Sequence, residues 1–363
     1  MLRSTFIPGL IGAIALASSA SGTEEGLPNF PKDDGFPSNA PPGSDNETEI
    51  YQRAFGTRPN GAPAKNLTED DFTSLQIIVF TGIFEVAYFV QLIYNITNNV
   101  TGYEIDDPDE RSKTIAELTA IQSQEEVHVL QARYLLLQND RDPIRPCQYI
   151  TPVSNLKDAI RTIYKATALL LGTLQEIIYR FGFDARELVK PSSAISENEA
   201  EQAAFFRQYL GYTPTSTPYL TGATRSMAYS AVQQNYIMPG SCPNSFEIEL
   251  PIFGVLGIVA FPDMSRKDNQ TIQLFVPGHD TNVIDGLSIC YAYQQNVPPC
   301  ESLTDAHVDQ GYVYFLANYP TALDTFGLKG LVIGVLVNST DNVTDVDSLD
   351  PYILYGPLLI AEN

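Results

Sequence analysis

Between Asp71 and Glu104 the chain carries a single charged residue, Glu85. The run Leu75–Tyr94 around it contains no proline and is apolar nearly all round. A helix of that kind either lies at the centre of a helical core or spans a membrane. Three features favour the core. Glu85 stands at mid-length, where a charge facing lipid is expensive. Gln76 and Gln91 flank it. The glycosylation triplets at Asn66 and Asn95 stand at opposite ends, and both can be used only if both ends are lumenal. A buried carboxylate then needs a partner, and the next helical stretch offers one.

Thr114–Leu137 has no Pro or Gly and consists mainly of good helix formers. Leu118, Ile121, Glu125, His128, Ala132 and Leu135 follow one another at helical spacing, so they form one face turned to a core. Glu125 and His128 sit in that face as Glu-x-x-His, the i, i+3 pair that carboxylate-bridged metal bundles place inward. A buried Glu–His pair satisfied by neighbouring side chains is the other reading. His128 or a metal is the natural partner for Glu85.

Two more long helices are expected. One covers Ser154–Phe181 with the apolar stripe Ile160, Ile163, Thr167, Leu170, Leu174, Ile177 and Phe181. Glu176 lies off that stripe, four residues before Arg180, and reads as a solvated i, i+4 pair. The other starts near Ser196, where Ser196-Glu197-Asn198-Glu199 has the form of a capping box. Glu199, Gln202, Phe206 and Tyr209 share a face, so Glu199 is either a cap or a ligand. A shorter helix is expected over Ala223–Tyr236.

Outside these helices the texture differs. Residues 1–20 read as a secretory signal: Arg3, an apolar run from Phe6 to Ala17, then small residues. Residues 21–65, rich in Gly, Pro, Ser, Asn and Asp, read as an extended or disordered arm. The helical part occupies 66–240. From Pro239-Gly-Ser-Cys-Pro243 onward, short Val-, Ile-, Phe- and Tyr-rich runs alternate with turn residues. Phe253–Phe261, Thr271–Val276, Leu287–Tyr293, Gly311–Ala317, Leu331–Val337 and Tyr352–Leu359 are the expected strands of an antiparallel sandwich over 241–363. The expected class is therefore α+β multidomain, a helical bundle followed by a β-rich segment, each with its own core.

The even count of Cys147, Cys242, Cys290 and Cys300 in an exported chain favours two disulfides. Cys290 and Cys300, ten apart around Pro298-Pro299, suit a hairpin staple, which would leave Cys147 with Cys242, although the sequence by itself fixes no connectivity. Sequons at Asn46, Asn66, Asn95, Asn99, Asn269, Asn338 and Asn342 point to a glycoprotein. His279 and His307 fall in polar turns and read as surface residues. The formal charge of −22 excludes a nucleic-acid footprint over most of the surface. No transmembrane segment, hydrolase triad, P-loop or dinucleotide fingerprint is evident.

Glu85, Glu125-x-x-His128 and Glu199-x-x-Gln202 on successive helices resemble the ferritin-like fold. The chain is more specifically similar to the secreted fungal ferritin-like proteins described as stress-response or late sexual development proteins, which are related to desiccation-related proteins. The likeness rests on Glu125-Glu-Val-His-Val-Leu130, Glu199-Ala-Glu-Gln-Ala-Ala-Phe-Phe-Arg207, Tyr212-Thr-Pro-Thr-Ser-Thr-Pro-Tyr-Leu220 and Ser241-Cys-Pro-Asn-Ser-Phe-Glu-Ile-Glu-Leu-Pro251, over about 70–260. It implies a four-helix bundle with a di-metal carboxylate site. Here the pattern is depleted. Gln202 replaces the second imidazole, and the third-helix Glu position aligns with Gly172 rather than Glu176. Glu85, Glu125, His128 and Glu199 remain as candidate ligands for a single Fe or Mn ion or for none.

The leading expectation is a secreted glycoprotein with a mainly structural bundle, extracellular or in the cell wall, acting in stress or development, with wall or matrix components as candidate partners. Its alternative is a metal-dependent oxidase or peroxide scavenger. A third expectation makes the β segment a wall-binding module.

Overall fold

The structure, a computed structural model, describes residues 28–263, 266, 268–321 and 330–361. The expected signal segment and residues 21–27 of the arm lie outside this range. The fold is α+β. Six α-helices lead, α1 (Asp45–Ala54), α2 (Glu69–Thr97), α3 (Pro108–Leu137), α4 (Leu156–Asp184), α5 (Val189–Tyr209) and α6 (Arg225–Asn235), and eight strands follow.

Local sequence explains most of the helix starts. Thr68 caps α2 through a reciprocal capping box with Asp71. Asp107 caps α3 ahead of Pro108, a residue suited to the first helical position. Asn155 and Thr224 accept from the third residues of α4 and α6. The start of α5 corrects the expectation. The helix begins at Val189 rather than near Ser196, so Ser196–Glu199 lies within it and caps nothing. Pro191 suggests a break, yet it sits in the first turn, where its missing N–H is not needed.

α2 is the central element, packed against α3, α4 and α6. It alone among the described helices is long and apolar enough to cross a membrane, but 78% of its most apolar window is buried in the protein. Gly82 sets its approach to α3: a Cβ there would lie 2.5 Å from Cγ2 of Val129.

From residue 28 onward the arm expected to be disordered is folded. Phe36 and Ile50 are fully buried in the helical core, and α1 packs on α3. The apolar residues are few, and ion pairs complete the docking. Glu126 of α3, fully buried, pairs with Lys32 and with Arg53, the latter at 3.5 Å. Arg53 and Lys32 also pair with Asp34.

The strands are β1 (Gly257–Ile258), β2 (Gln270–Pro277), β3 (Ser288–Tyr293), β4 (Cys300–Ser302), β5 (Thr304–Asp309), β6 (Tyr312–Tyr319), β7 (Leu331–Val337) and β8 (Ile353–Ala361). They form two four-stranded antiparallel sheets, ordered β1-β2-β6-β5 and β4-β3-β7-β8. Leu274, Val276 and Phe315 of the first sheet share a core with Ile289, Tyr291 and Leu336 of the second. The other face of the second sheet is also covered. Cys290, Ala292, Ile333 and Val335 pack with Leu169 of α4 and with Met227 and Ala231 of α6. This double burial explains why β7 reads Leu-Val-Ile-Gly-Val-Leu-Val without alternation. It also corrects the expectation of two separate cores, because α4 and α6 share one with the β segment.

Two disulfides are present, Cys147–Cys242 and Cys290–Cys300. The second joins directly paired positions of β3 and β4. The first lies where Tyr149 bridges Ile237 and where Asn244 accepts from Arg145 N–H and donates to Pro143 O. Two disulfides are typical of proteins matured in an oxidising compartment.

Candidate metal centre

Four helices bring ionisable or polar groups to one small cavity of about 20 Å³. α2 supplies Glu85, α3 supplies Glu125 and His128, and α5 supplies Glu199. Ligand atoms of Glu125, His128 and Glu199 lie within 4.8 Å of one another. α4 supplies Leu170, Thr173, Leu174 and Ile177, and no carboxylate.

Glu85, Glu125 and Glu199 are 1%, 1% and 3% exposed. Oε1 of Glu125 accepts from Nε2 of Gln202 at 2.6 Å, and its Oε2 lies 3.2 Å from Nδ1 of His128. Glu85 Oε1 accepts from Thr167 Oγ1 at 3.1 Å. Oε2 of Glu199 is buried without a hydrogen-bond partner. Burial pushes the Glu85 carboxyl well above its usual range, the neighbouring Glu125 adds to this, and the Thr167 hydrogen bond opposes it. Burial raises Glu199 likewise, with Glu125 and Glu85 contributing.

No Lys or Arg lines the cavity. Three carboxyls and an imidazole in an apolar cavity hold their charge by sharing protons or by binding a cation. The donor set is hard oxygen plus one imidazole nitrogen, the unpartnered oxygen of Glu199 offers a ligating position, and about 20 Å³ holds a single ion or water. The residues thus fit one ion. They do not fit two, because α4 contributes no ligand and Gln202 is not among the residues that line the cavity.

Glu85, Glu125, His128 and Glu199 all reach the site. The expected pairing of Glu85 with His128 is replaced: Thr167 partners Glu85, and Glu125 partners His128. Glu176 is elsewhere. It does pair with Arg180, at 2.6 Å, but it is buried rather than solvated and also accepts from Arg225 N–H at 2.5 Å. Gly172 faces away from the cavity, where a Cβ would lie 2.4 Å from Thr221 O. Thr167 is a supporting residue that carries no metal-ligand signal in the sequence, whereas Gln202 is marked there by the Glu199-x-x-Gln202 spacing. Thr167 lies on the α4 stripe, and its hydroxyl marks it among the aliphatic members.

His128 also lines a larger cleft of about 540 Å³ on the outer side, formed by 54–60 of the arm with α3 and α5. Ile195 lines both spaces, so these two side chains divide the inner cavity from the cleft.

Among the other predicted positions, Asn66, Asn99, Asn269, Asn338 and Asn342 are exposed and Asn46 is half-buried. Asn95 is 9% exposed and accepts from Gln91 Nε2 at 2.9 Å. A glycan there would have to displace core packing, so Asn95 does not suit modification in the folded protein, and it no longer argues about membrane sidedness. His307 is exposed and stacks on Tyr314.

No protein-family model matches the chain, and no curated protein matches it.

Proposed function

We propose that the chain is a secreted glycoprotein built on a degenerate ferritin-like bundle. In this reading Glu85, Glu125, His128 and Glu199 hold one Fe or Mn ion, and the bundle's role is mainly structural, in an extracellular or cell-wall matrix under stress or during development. The observation that carries the metal assignment is the convergence of Glu125, His128 and Glu199 within 4.8 Å around the unpartnered Glu199 oxygen. Two disulfides and exposed sequons support export. A bound divalent ion would offset two of the three buried carboxylate charges and tie α2, α3 and α5 together. The depleted ligand set argues against two-metal chemistry.

The test is metal analysis of the full chain, stripped with chelator, loaded with iron(II) or manganese(II) and dialysed. About one ion per chain is expected, with Glu125→Gln and His128→Ala losing it while keeping their helical circular dichroism. Less than about a tenth of an ion per chain would remove the metal assignment.

A metal-dependent oxidase or peroxide scavenger is the second reading. The cleft that reaches His128 favours it, since it brings solvent to within one side chain of the cavity. Peroxide consumption by the loaded protein that disappears in His128→Ala would select this reading.

A further inference from the structure

We propose that the cavity beside Arg207 binds a small organic monocarboxylate, at a site separate from the metal centre. The cavity, about 280 Å³, lies between α4, α5 and the loop 214–221. Arg207 lines it and is 3% exposed. Its Nε donates to Thr213 O at 2.8 Å, and its Nη1 donates to Tyr164 Oη at 2.8 Å. The guanidinium carbon stands 5.4 Å and 5.7 Å from the ring centroids of Tyr164 and Tyr212. A carbonyl, a phenol and two rings surround the charge, and none of them is an anion.

Arg225 makes the contrast. It is equally buried, at 4%, and is held by Asp70 at 2.7 Å and Glu176 at 3.7 Å. The chain has 43 acidic side chains against 21 Lys and Arg, so acidic partners are not scarce. Yet among the described residues no carboxylate pairs with Arg207. A buried cation without a counter-charge is unfavourable, and the carbonyl end of α5 offsets only part of that. The guanidinium carries five N–H donors in a planar fork, and the two bonds above engage Nε and Nη1 but not Nη2. A fork with a free edge at a cavity wall matches the two oxygens of a carboxylate.

The other walls define the ligand's body. Ala168, Leu171, Ala203 and Ala204 give a compact apolar surface, and Ser216 and Thr217 add hydroxyls. The volume, about 280 Å³, lies just below the usual range for ligand pockets, about 300–1,000 Å³. A short aliphatic or single-ring acid fits this combination of one cation and an apolar wall. Inorganic phosphate would satisfy the fork and leave the apolar wall unused.

Calorimetry and ligand-observed NMR on the full chain, with benzoate, benzamide and inorganic phosphate as probes, test the assignment. Benzoate is expected to bind saturably in the millimolar range or tighter, with benzamide and phosphate at least about tenfold weaker. Arg207→Lys keeps the charge but loses the fork, and should weaken benzoate about tenfold or more. Ala204→Leu fills the cavity while retaining the Arg207 guanidinium. It should abolish benzoate binding while leaving the ligand-free melting temperature close to that of the wild type. Glu125→Gln, which alters only the metal centre, should bind benzoate normally. Equal affinity for benzoate and benzamide, unchanged binding in Ala204→Leu, or no saturation by benzoate in the folded protein would overturn the site. Phosphate binding more tightly than benzoate would overturn the carboxylate assignment.

Discussion

Gln202 donates its side-chain amide to Glu125 at 2.6 Å, from α5 to α3 across the wall of the cavity. The same amide nitrogen lies 3.2 Å from Asn198 Oδ1 and 3.4 Å from Gln124 Oε1. Gln202 therefore acts as a donor toward Glu125 through its amide nitrogen, while its own amide oxygen is buried without a hydrogen-bond partner. With His128 at the other oxygen of Glu125, both oxygens of that carboxylate are already held in the protein. The amide is thus a clamp that orients Glu125 at the cavity.

Removing that clamp should be costly even without metal. Gln202→Leu leaves a fully buried carboxylate oxygen of Glu125 without its donor, a loss of about 1–3 kcal/mol. Urea unfolding in the presence of chelator should show the midpoint falling with an unchanged slope. An unchanged midpoint would mean that the amide contributes nothing to holding Glu125.

The arm gives a second prediction. Glu126 is fully buried and meets Lys32 and Arg53, and Gln122 Nε2 donates to it at 3.0 Å. Glu126→Ala removes one of the two buried carboxylates that hold these cations and leaves Asp34 as the other, a loss of about 1–3 kcal/mol. The arm should detach before the bundle unfolds, so trypsin should cut at Arg53 or Lys65 in the variant under conditions that leave the wild type intact. Equal resistance in the two proteins would show that Phe36 and Ile50 hold the arm alone.

The sequence reveals the candidate metal centre more fully than the arm or the sheet edges, and the reason is physical. Glu85, Glu125 and His128 interrupt strongly apolar helical faces, where a polar residue is conspicuous. Glu199 is ambiguous because Ser196 and Pro191 imitate a helix start. In the arm the buried apolar residues are few and irregularly spaced, and ion pairs to residues up to 94 positions away complete the docking, so no local period betrays it. β4 and β5 are missed for a related reason: β5, Thr304–Asp309, is exposed at every position and shows neither alternation nor an apolar run. Continuous hydrophobicity in Leu331–Val337 identifies a buried strand, but not that α4 and α6 cover its second face.

Lys165 supplies a pH-dependent prediction. Half-buried on α4, its ammonium lies 4.2 Å from the centroid of Phe261. Burial lowers its pKa from 10.5 to about 8, with Arg161 adding to the effect and Asp158 opposing it. A lysine whose folded pKa is depressed destabilises the fold while it must carry a charge. That penalty is complete below about pH 8 and is relieved as pH rises from about 8 toward 10.5. Lys165→Met should thus be more stable than the wild type at pH 7, by about 1–2 kcal/mol after discounting for partial exposure. The difference should shrink by pH 10. A stability difference that stays constant between pH 7 and pH 10 would place the cause in packing against Phe261 instead.

The contact between Gly82 and Val129 gives the last prediction, because it governs how closely α2 and α3 approach beside the cavity. A Cβ at Gly82 would lie 2.5 Å from Val129 Cγ2. Valine is stiff at χ1 in a helix, so that methyl cannot swing away and the helices must separate. Gly82 is one turn before Glu85, and Val129 follows His128. Separation there therefore moves Glu85 away from Glu125 and His128. Gly82→Ala should destabilise the chain by about 1–3 kcal/mol, the usual range for overpacking, although alanine is the better helix former. It should also reduce the metal retained after loading and dialysis. Val129→Ala removes the obstructing methyl, so the double variant should regain most of the metal retention lost in Gly82→Ala, with a coupling of about 1 kcal/mol or more in the stability cycle. Additive effects on stability together with unrestored metal binding would show that the helix spacing at Gly82 does not set the geometry of the site.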